Sequence, residues 1–309
     1  MYNTRVRIDI LNKIFLLIIT AALTAAAVCG CADDPKKSSS EEASASSQTT
    51  EASEEATAEV TAPPVVKHDI KPADGTYVYD YAKLLSGADF DECNNYAGWL
   101  YEKYLINAAV VTTDNLDGMT PEQYAENAYI DIYSGRGSGL LLLINNDTNE
   151  DYLYKKGSCL TFVDESEQSA AFYWATQDMV KGDFKNAVMR IMQLGEACPQ
   201  HIFDNGGIFS TDEISLLESA CTESNISVLA TSNSTSSTNE EICRSYYDRR
   251  YKNEEGFMIM LDSATNTLIV CSDSALPEGF DAAVQSANEL AAAQNYVDAV
   301  NSLITALKG

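Results

Sequence analysis

The sequence predicts an α/β protein: two tandem three-layer α/β/α domains that follow a disordered tether. Three observations carry that expectation. The first is an internal repeat. Asp80 precedes Ser86 in Tyr79-Asp80-Tyr81-Ala82-Lys83-Leu84-Leu85-Ser86 at the spacing by which Asp204 precedes Ser210 in Phe203-Asp204-Asn205-Gly206-Gly207-Ile208-Phe209-Ser210. Ile106 to Thr113 then answers to Asn225 to Ser232, and Gly139 to Asn145 answers to Gly256 to Asp262. Phe184, Ala187, Val188, Ile191 and Met192 share their spacing with Tyr296, Ala299, Val300, Leu303 and Ile304. Segments in one order at slowly drifting offsets mean two diverged copies of one unit. The second observation is that each copy alternates helical-period stretches with continuous apolar runs, the pattern of a sheet covered by helices on both faces. The third is an abrupt change of composition near residue 66.

Residues 1–30 have the form of a secretory signal: Arg5, Arg7 and Lys13 stand ahead of an apolar run from Ile14 to Val28, which ends in small residues. Val28-Cys29-Gly30-Cys31 is similar to a bacterial lipobox. That resemblance implies that Cys31 is diacylated, becomes the first mature residue and ties the chain to the lipid bilayer, facing the extracytoplasmic side. An uncleaved membrane anchor is the alternative reading of the same run. Residues 31–66 are almost all Ser, Glu, Ala and Thr, without an aromatic residue. Such a segment buries too little apolar surface to offset its ordering entropy, so it is expected to be a flexible tether. Residues 67–197 are then the first domain and 198–309 the second, more degenerate one.

Within each copy the helix starts are written in capping chemistry. Ser86 with Asp89 and Ser210 with Glu213 have the spacing of a capping box, as do Thr120-Pro121-Glu122-Gln123 and Thr238-Asn239-Glu240-Glu241. Phe90, Cys93, Ala97, Leu100 and Tyr104 lie on one helical face, as do Ile214, Leu217 and Cys221. Ala108 to Thr113 and Ile226 to Thr231 read as strands. Leu140 to Ile144 reads as a central strand buried on both faces, followed by a polar turn, Asn145 to Asn149, into Tyr152 to Tyr154. Two helices close the unit. The expected order is helix, strand, helix, strand, strand, helix, helix.

Charge and residue counts narrow the chemistry. With 46 acidic against 20 basic residues the formal net charge is −26. That surface repels nucleic acid and favours divalent cations, basic partners or simple solubility. Six cysteines lie beyond the leader: Cys93, Cys159, Cys198, Cys221, Cys243 and Cys271. Export permits disulfides, whereas the helical positions of Cys93, Cys221 and Cys243 favour mostly free, buried thiols. The chain has 2 histidines, His68 beside the tether and His201 between the copies, and neither is in a repeated motif. A serine or cysteine nucleophile with a histidine base is therefore disfavoured, and no phosphate loop or HExxH motif is present. No organic cofactor is expected.

The opening Val78-x-Asp80-x-Ala82-x-Leu84-Leu85-Ser86, the strand Val110-Val111-Thr112-Thr113, Thr120-Pro121-Glu122-Gln123-Tyr124-Ala125 and Gly139 to Ile144 together resemble the TPM domain family, a family with many members in bacterial envelopes. The resemblance runs from Tyr77 to about Gly195 and implies a Rossmann-like α/β/α fold. It also implies one of three roles: binding of Ca²⁺ or another divalent cation, acid phosphatase activity, or service as an accessory or assembly factor for membrane complexes. Gly137-Ser138-Gly139 stands where the family has an acidic Asp-Asn-Gly, Lys155-Lys156-Gly157-Ser158 replaces a glycine-rich turn, and Asp147-Thr148-Asn149-Glu150 lacks the family's Arg.

Ligands of open α/β sheets gather outside the carboxyl ends of the strands. Asp80, shared with Asp204 of the second copy, and Asp114 and Asp147 are the candidate metal-ligating carboxylates, because a hard cation takes several oxygens. The competing reading of Asp80 and Asp204 is a turn in which a short acidic side chain accepts backbone amides. Tyr77, Tyr79, Tyr81, Tyr96, Tyr101 and Tyr104 offer either a contact surface or a core rim. The expected function is a membrane-tethered extracytoplasmic interaction or assembly module that meets an envelope protein. A metal-dependent acid phosphatase is the alternative.

Overall fold

In the computed structural model, residues 60–222, 224–252 and 254–309 are described. The expected leader, Cys31 and nearly all of the tether lie outside the described residues. Val65–Gly309 hold together as one unit. Among the described residues no helix is long and apolar enough to cross a membrane.

The first half contains β1 (Val78–Asp80), α1 (Gly87–Lys103), β2 (Asn107–Thr113), α2 (Pro121–Tyr133), β3 (Gly139–Asn145), β4 (Tyr152–Lys156), α3 (Ser158–Phe162), α4 (Glu165–Val180), α5 (Phe184–Met192) and a short 3₁₀ turn, Gln193–Ala197. The second half contains β5 (Ile202–Asp204), α6 (Thr211–Cys221), β6 (Ile226–Thr231), α7 (Asn239–Tyr251), β7 (Phe257–Asp262), β8 (Thr267–Cys271), α8 (Phe280–Ala292) and α9 (Tyr296–Lys308). The sheets have the orders β1-β2-β3-β4 and β5-β6-β7-β8. In each, the first three strands are parallel and the last is antiparallel.

The registers show the repeat and shift one of its sequence matches by a residue, because Thr112 answers to Ala230 rather than to Thr231. Asp80 pairs with Thr112, which pairs with Ile144; Asp204 pairs with Ala230, which pairs with Leu261. Leu142 and Ile259 therefore hold the same sheet position. Strand side chains alternate between faces. Ala108, Val110, Leu140, Leu142 and Ile144 pack with α1, α4 and α5, whereas Ala109, Val111, Leu141 and Leu143 pack under α2. In the second half Val228, Ala230, Ile259 and Leu261 pack with α6, α8 and α9, and Leu229, Met258 and Met260 pack under α7. Both halves are three-layer α/β/α.

Several expectations change, and in the first half a short helix, α3, forms straight after β4 ahead of the two closing helices expected. Each copy begins with a short strand, β1 or β5, which three residues of unremarkable sequence did not signal. The Ser86 cap is also incomplete. Its hydroxyl receives the Asp89 amide at 3.3 Å, but the Asp89 carboxylate returns to that hydroxyl at 2.5 Å rather than to the Ser86 amide. The longer Glu213 reaches both the amide and the hydroxyl of Ser210, at 2.8 Å each, and completes the box. One methylene decides the difference.

Candidate functional site

β1, β2 and β3 end side by side at one edge of the first sheet, and this edge carries Asp80, Asp114 and Asp147. Asp80 is half-buried and fully engaged. One carboxylate oxygen accepts the Leu84 amide at 3.0 Å and the Thr112 hydroxyl at 2.5 Å, and the other accepts the Leu85 amide at 3.0 Å. The clamp turns the chain from β1 into α1. Asp204 does the same work between β5 and α6, accepting the amides of Gly206, Ile208 and Phe209 at 3.2, 3.0 and 2.8 Å.

Asp114 and Asp147 are exposed. Asp114 accepts from the Asn146 side chain at 2.6 Å, linking the loop after β2 to the loop after β3. The Asp147 amide donates to the Asn145 side chain at 3.3 Å. In the same loop the side-chain oxygen of Asn149 is buried without a hydrogen-bond partner, and its backbone is left-handed at φ 58°. The structure thus brings the three aspartates to one edge, each with its own hydrogen-bond partners. Among the described residues, no group of three or more His, Cys, Asp or Glu side chains is placed to hold a metal ion.

Asp262 is the acid that the sequence reading passed over. It ends β7 at the position of Asn145, is buried, and accepts the Asn233 and Ala264 amides at 2.9 and 3.0 Å. The Thr265 hydroxyl at 2.7 Å and the Asn239 side chain at 3.1 Å complete its shell. Burial opposes ionisation, but these donors outweigh it and hold the carboxyl below its ordinary range. Its only sequence signal was the pairing of Asn145 with Asp262 in the repeat.

Both histidines are tied to glutamates. His68 stacks on Trp99 at 4.6 Å and meets Glu196 at 3.0 Å, and Glu196 also accepts from Tyr96. His201 meets Glu218 at 2.8 Å, and the same carboxylate accepts the Gln200, His201 and Ile202 amides. Burial opposes that charge, yet His201 and these amides keep Glu218 below its usual range. The His201 pair fastens the chain just before β5, and the His68 pair ties the segment ahead of β1 to the 3₁₀ turn.

The halves meet through the loop before β3. The Ser138 amide and hydroxyl donate to the Asn205 side chain at 3.1 and 2.9 Å, and Asn205 donates to the Tyr246 hydroxyl at 3.1 Å. Beside this bridge opens a polar cleft of about 380 Å³, lined by Arg136, Asn205, Thr231, Asn233, Glu241 and Tyr246 among others. The tyrosines divide as well: Tyr96 and Tyr104 are core, Tyr81 is exposed, and Tyr101 lies under the guanidinium of Arg249 at 3.8 Å.

Residues 78–193 match the TPM domain family. The matched stretch runs from the first residue of β1 to just past α5 and takes in Asp80, Asp114 and Asp147. The chain is also similar to the solution structure of the N-terminal domain of a protein from P. gingivalis. Identity there is 16%, with 39% of this chain and 80% of that chain covered and a TM-score of 0.35. A second similar structure is the N-terminal domain of the cg2496 protein from Corynebacterium glutamicum. It is 19% identical, with 43% and 86% covered and a TM-score of 0.33. No curated protein matches the chain.

Proposed function

We propose that this chain is an extracytoplasmic interaction and assembly module, tethered to the lipid bilayer through Cys31 and built from two TPM-type units of which the second has diverged. Its partner is an envelope protein rather than nucleic acid, in keeping with the net charge of −26. The observation that carries the reading is the use made of the repeated aspartates. Asp80 and Asp204 each direct both carboxylate oxygens at the chain's own amides, as structural clamps do. Neither histidine is available as a base beside them. A divalent cation such as Ca²⁺ is the ligand proposed for the strand-end loops, where Asp114 and Asp147 stand exposed near the unpartnered oxygen of Asn149.

The competing phosphatase reading is tested on the full chain with p-nitrophenyl phosphate and added divalent metals. The expected result is no metal-dependent phosphate release that Asp80→Asn abolishes; such a loss would overturn the module reading. Thermal melts with Ca²⁺ test the ion. A stabilising shift that survives Asp80→Asn and weakens in Asp114→Asn or Asp147→Asn supports it, and no shift in the wild type removes it. Fractionation of cells tests the tether: Cys31→Ser should move the protein from the membrane to the soluble fraction.

A further inference from the structure

Cys159 lies in the first turn of α3, and Cys198 follows the 3₁₀ turn where the chain leaves the first half for β5. Their Sγ atoms are 3.5 Å apart, and both side chains are buried. A disulfide is about 2.05 Å long, so closure needs roughly 1.5 Å of combined sulfur movement, within reach of small side-chain rotations. The backbones on either side are already fixed. The Val163 amide donates to the Cys159 carbonyl at 3.2 Å, and the Cys198 amide donates to the Gly195 carbonyl at 3.1 Å. Next to Cys159, the Ser158 amide donates to the Ser138 hydroxyl at 2.9 Å, and Ser138 is the residue that bridges to Asn205 of the second half. The thiol pair therefore sits under the joint between the two sheets.

We propose that Cys159 and Cys198 form a disulfide that staples α3 to this joint, made by exchange with a disulfide donor of the glutathione or thiol–disulfide oxidoreductase class. One cysteine thiolate attacks the donor's S–S bond, giving a mixed disulfide and releasing one donor thiolate. The second cysteine thiolate attacks the sulfur of the first and releases the other donor thiol. The two cysteines lose two protons and two electrons, and the donor is reduced to two thiols. Contact with Cys198 and burial both hold the Cys159 thiol protonated in the folded chain, so the exchange belongs to folding or to local opening. The oxidation state in the cell rests on the exported location proposed above; the pairing itself does not.

The test refolds the full chain in a buffer of oxidised and reduced glutathione, alkylates free thiols and maps peptides by mass spectrometry. A Cys159–Cys198 cross-linked peptide is expected. Reduction should lower Tm by about 5–10 °C. Cys159→Ala and Cys198→Ala should each diminish that shift as much as the double variant does. Alkylation of both residues after refolding, or linkage of either to another cysteine, overturns the proposal; the wild-type map decides even if the variants fail to fold. A chain that is cross-linked in vitro but alkylated at both positions when taken from cells supports the pair and counts against the exported location instead.

Discussion

Asp262 is 1% exposed, and four donors from the loops after β6 and β7 and from α7 converge on its carboxylate. Its folded pKa lies below the unfolded value. The stability it contributes is therefore fully present above about pH 4 and is lost as pH falls through the lower folded value. Asp262→Asn, which keeps the shape but removes the charge, should cost about 1.5–3 kcal/mol at pH 7. Urea unfolding at pH 7, 5 and 3 checks this, with the gap between wild type and variant narrowing only at the lowest pH. Leu105 shows a different balance. It takes a left-handed backbone at φ 49°, a conformation that leucine adopts at a cost, and it does so while buried among Phe203, Leu229 and Met260 of the second half. Burial of its side chain, worth about 1.5–3 kcal/mol, exceeds the strain.

Among the elements, β3 and its neighbours show how close approach fixes residue choice. A Cβ built on Gly139 would lie 2.3 Å from the Asn107 carbonyl and 2.5 Å from the Tyr129 hydroxyl. The first contact is backbone within the β2–β3 ladder, which cannot yield without disturbing the pairing. Gly139→Ala should cost about 1–3 kcal/mol. Gly87, in the first turn of α1, meets nothing within 4 Å, so Gly87→Ala should be neutral or stabilise by up to about 1 kcal/mol. Calorimetry of the two variants separates crowding from any general effect of an added methyl group; equal melting temperatures would refute the crowding argument.

For the whole molecule the question is what couples the halves. Arg249 on α7 places its guanidinium over Tyr101 of α1 at 3.8 Å and over Tyr246 at 5.2 Å, with Nε and Nη2 buried and without hydrogen bonds. Lys252 reaches Asp74 at 2.9 Å and Glu102 at 2.5 Å, but these groups are partly exposed and contribute about 0–1 kcal/mol. The stack is the stronger link, at about 1–2 kcal/mol, and lysine does not replace its planar contact. Both tryptophans, Trp99 and Trp174, lie in the first half, so tryptophan fluorescence reports that half and circular dichroism reports both. The two probes should trace one urea transition in the wild type and separate in Arg249→Ala, with Arg249→Lys closer to Ala than to wild type. Coincident transitions in all three proteins would show that the buried apolar contacts around Leu105 suffice.

The sequence by itself determined the two copies, the helix starts at Thr120, Ser210 and Thr238, the buried central strands and the α/β/α layering. Each is encoded locally, in periodicity, capping pairs or continuous apolar runs, and the repeat doubles every signal. It also posed the right alternative for Asp80, turn or ligand, because a short acid before a capped helix serves either purpose. Only the tertiary structure gives that carboxylate its full set of partners, since one of them, the Thr112 hydroxyl, comes from the neighbouring strand. The same holds for β1 and β5, whose three residues are strands only because β2 and β6 lie beside them. It holds again for Asp262, the Cys159–Cys198 contact, the Ser138–Asn205 bridge and the Arg249 stack. In each case at least one deciding partner lies outside the span of a local motif, for Arg249 and Tyr101 more than a hundred residues away, and a side chain carries no mark of a partner that only the folded chain brings near.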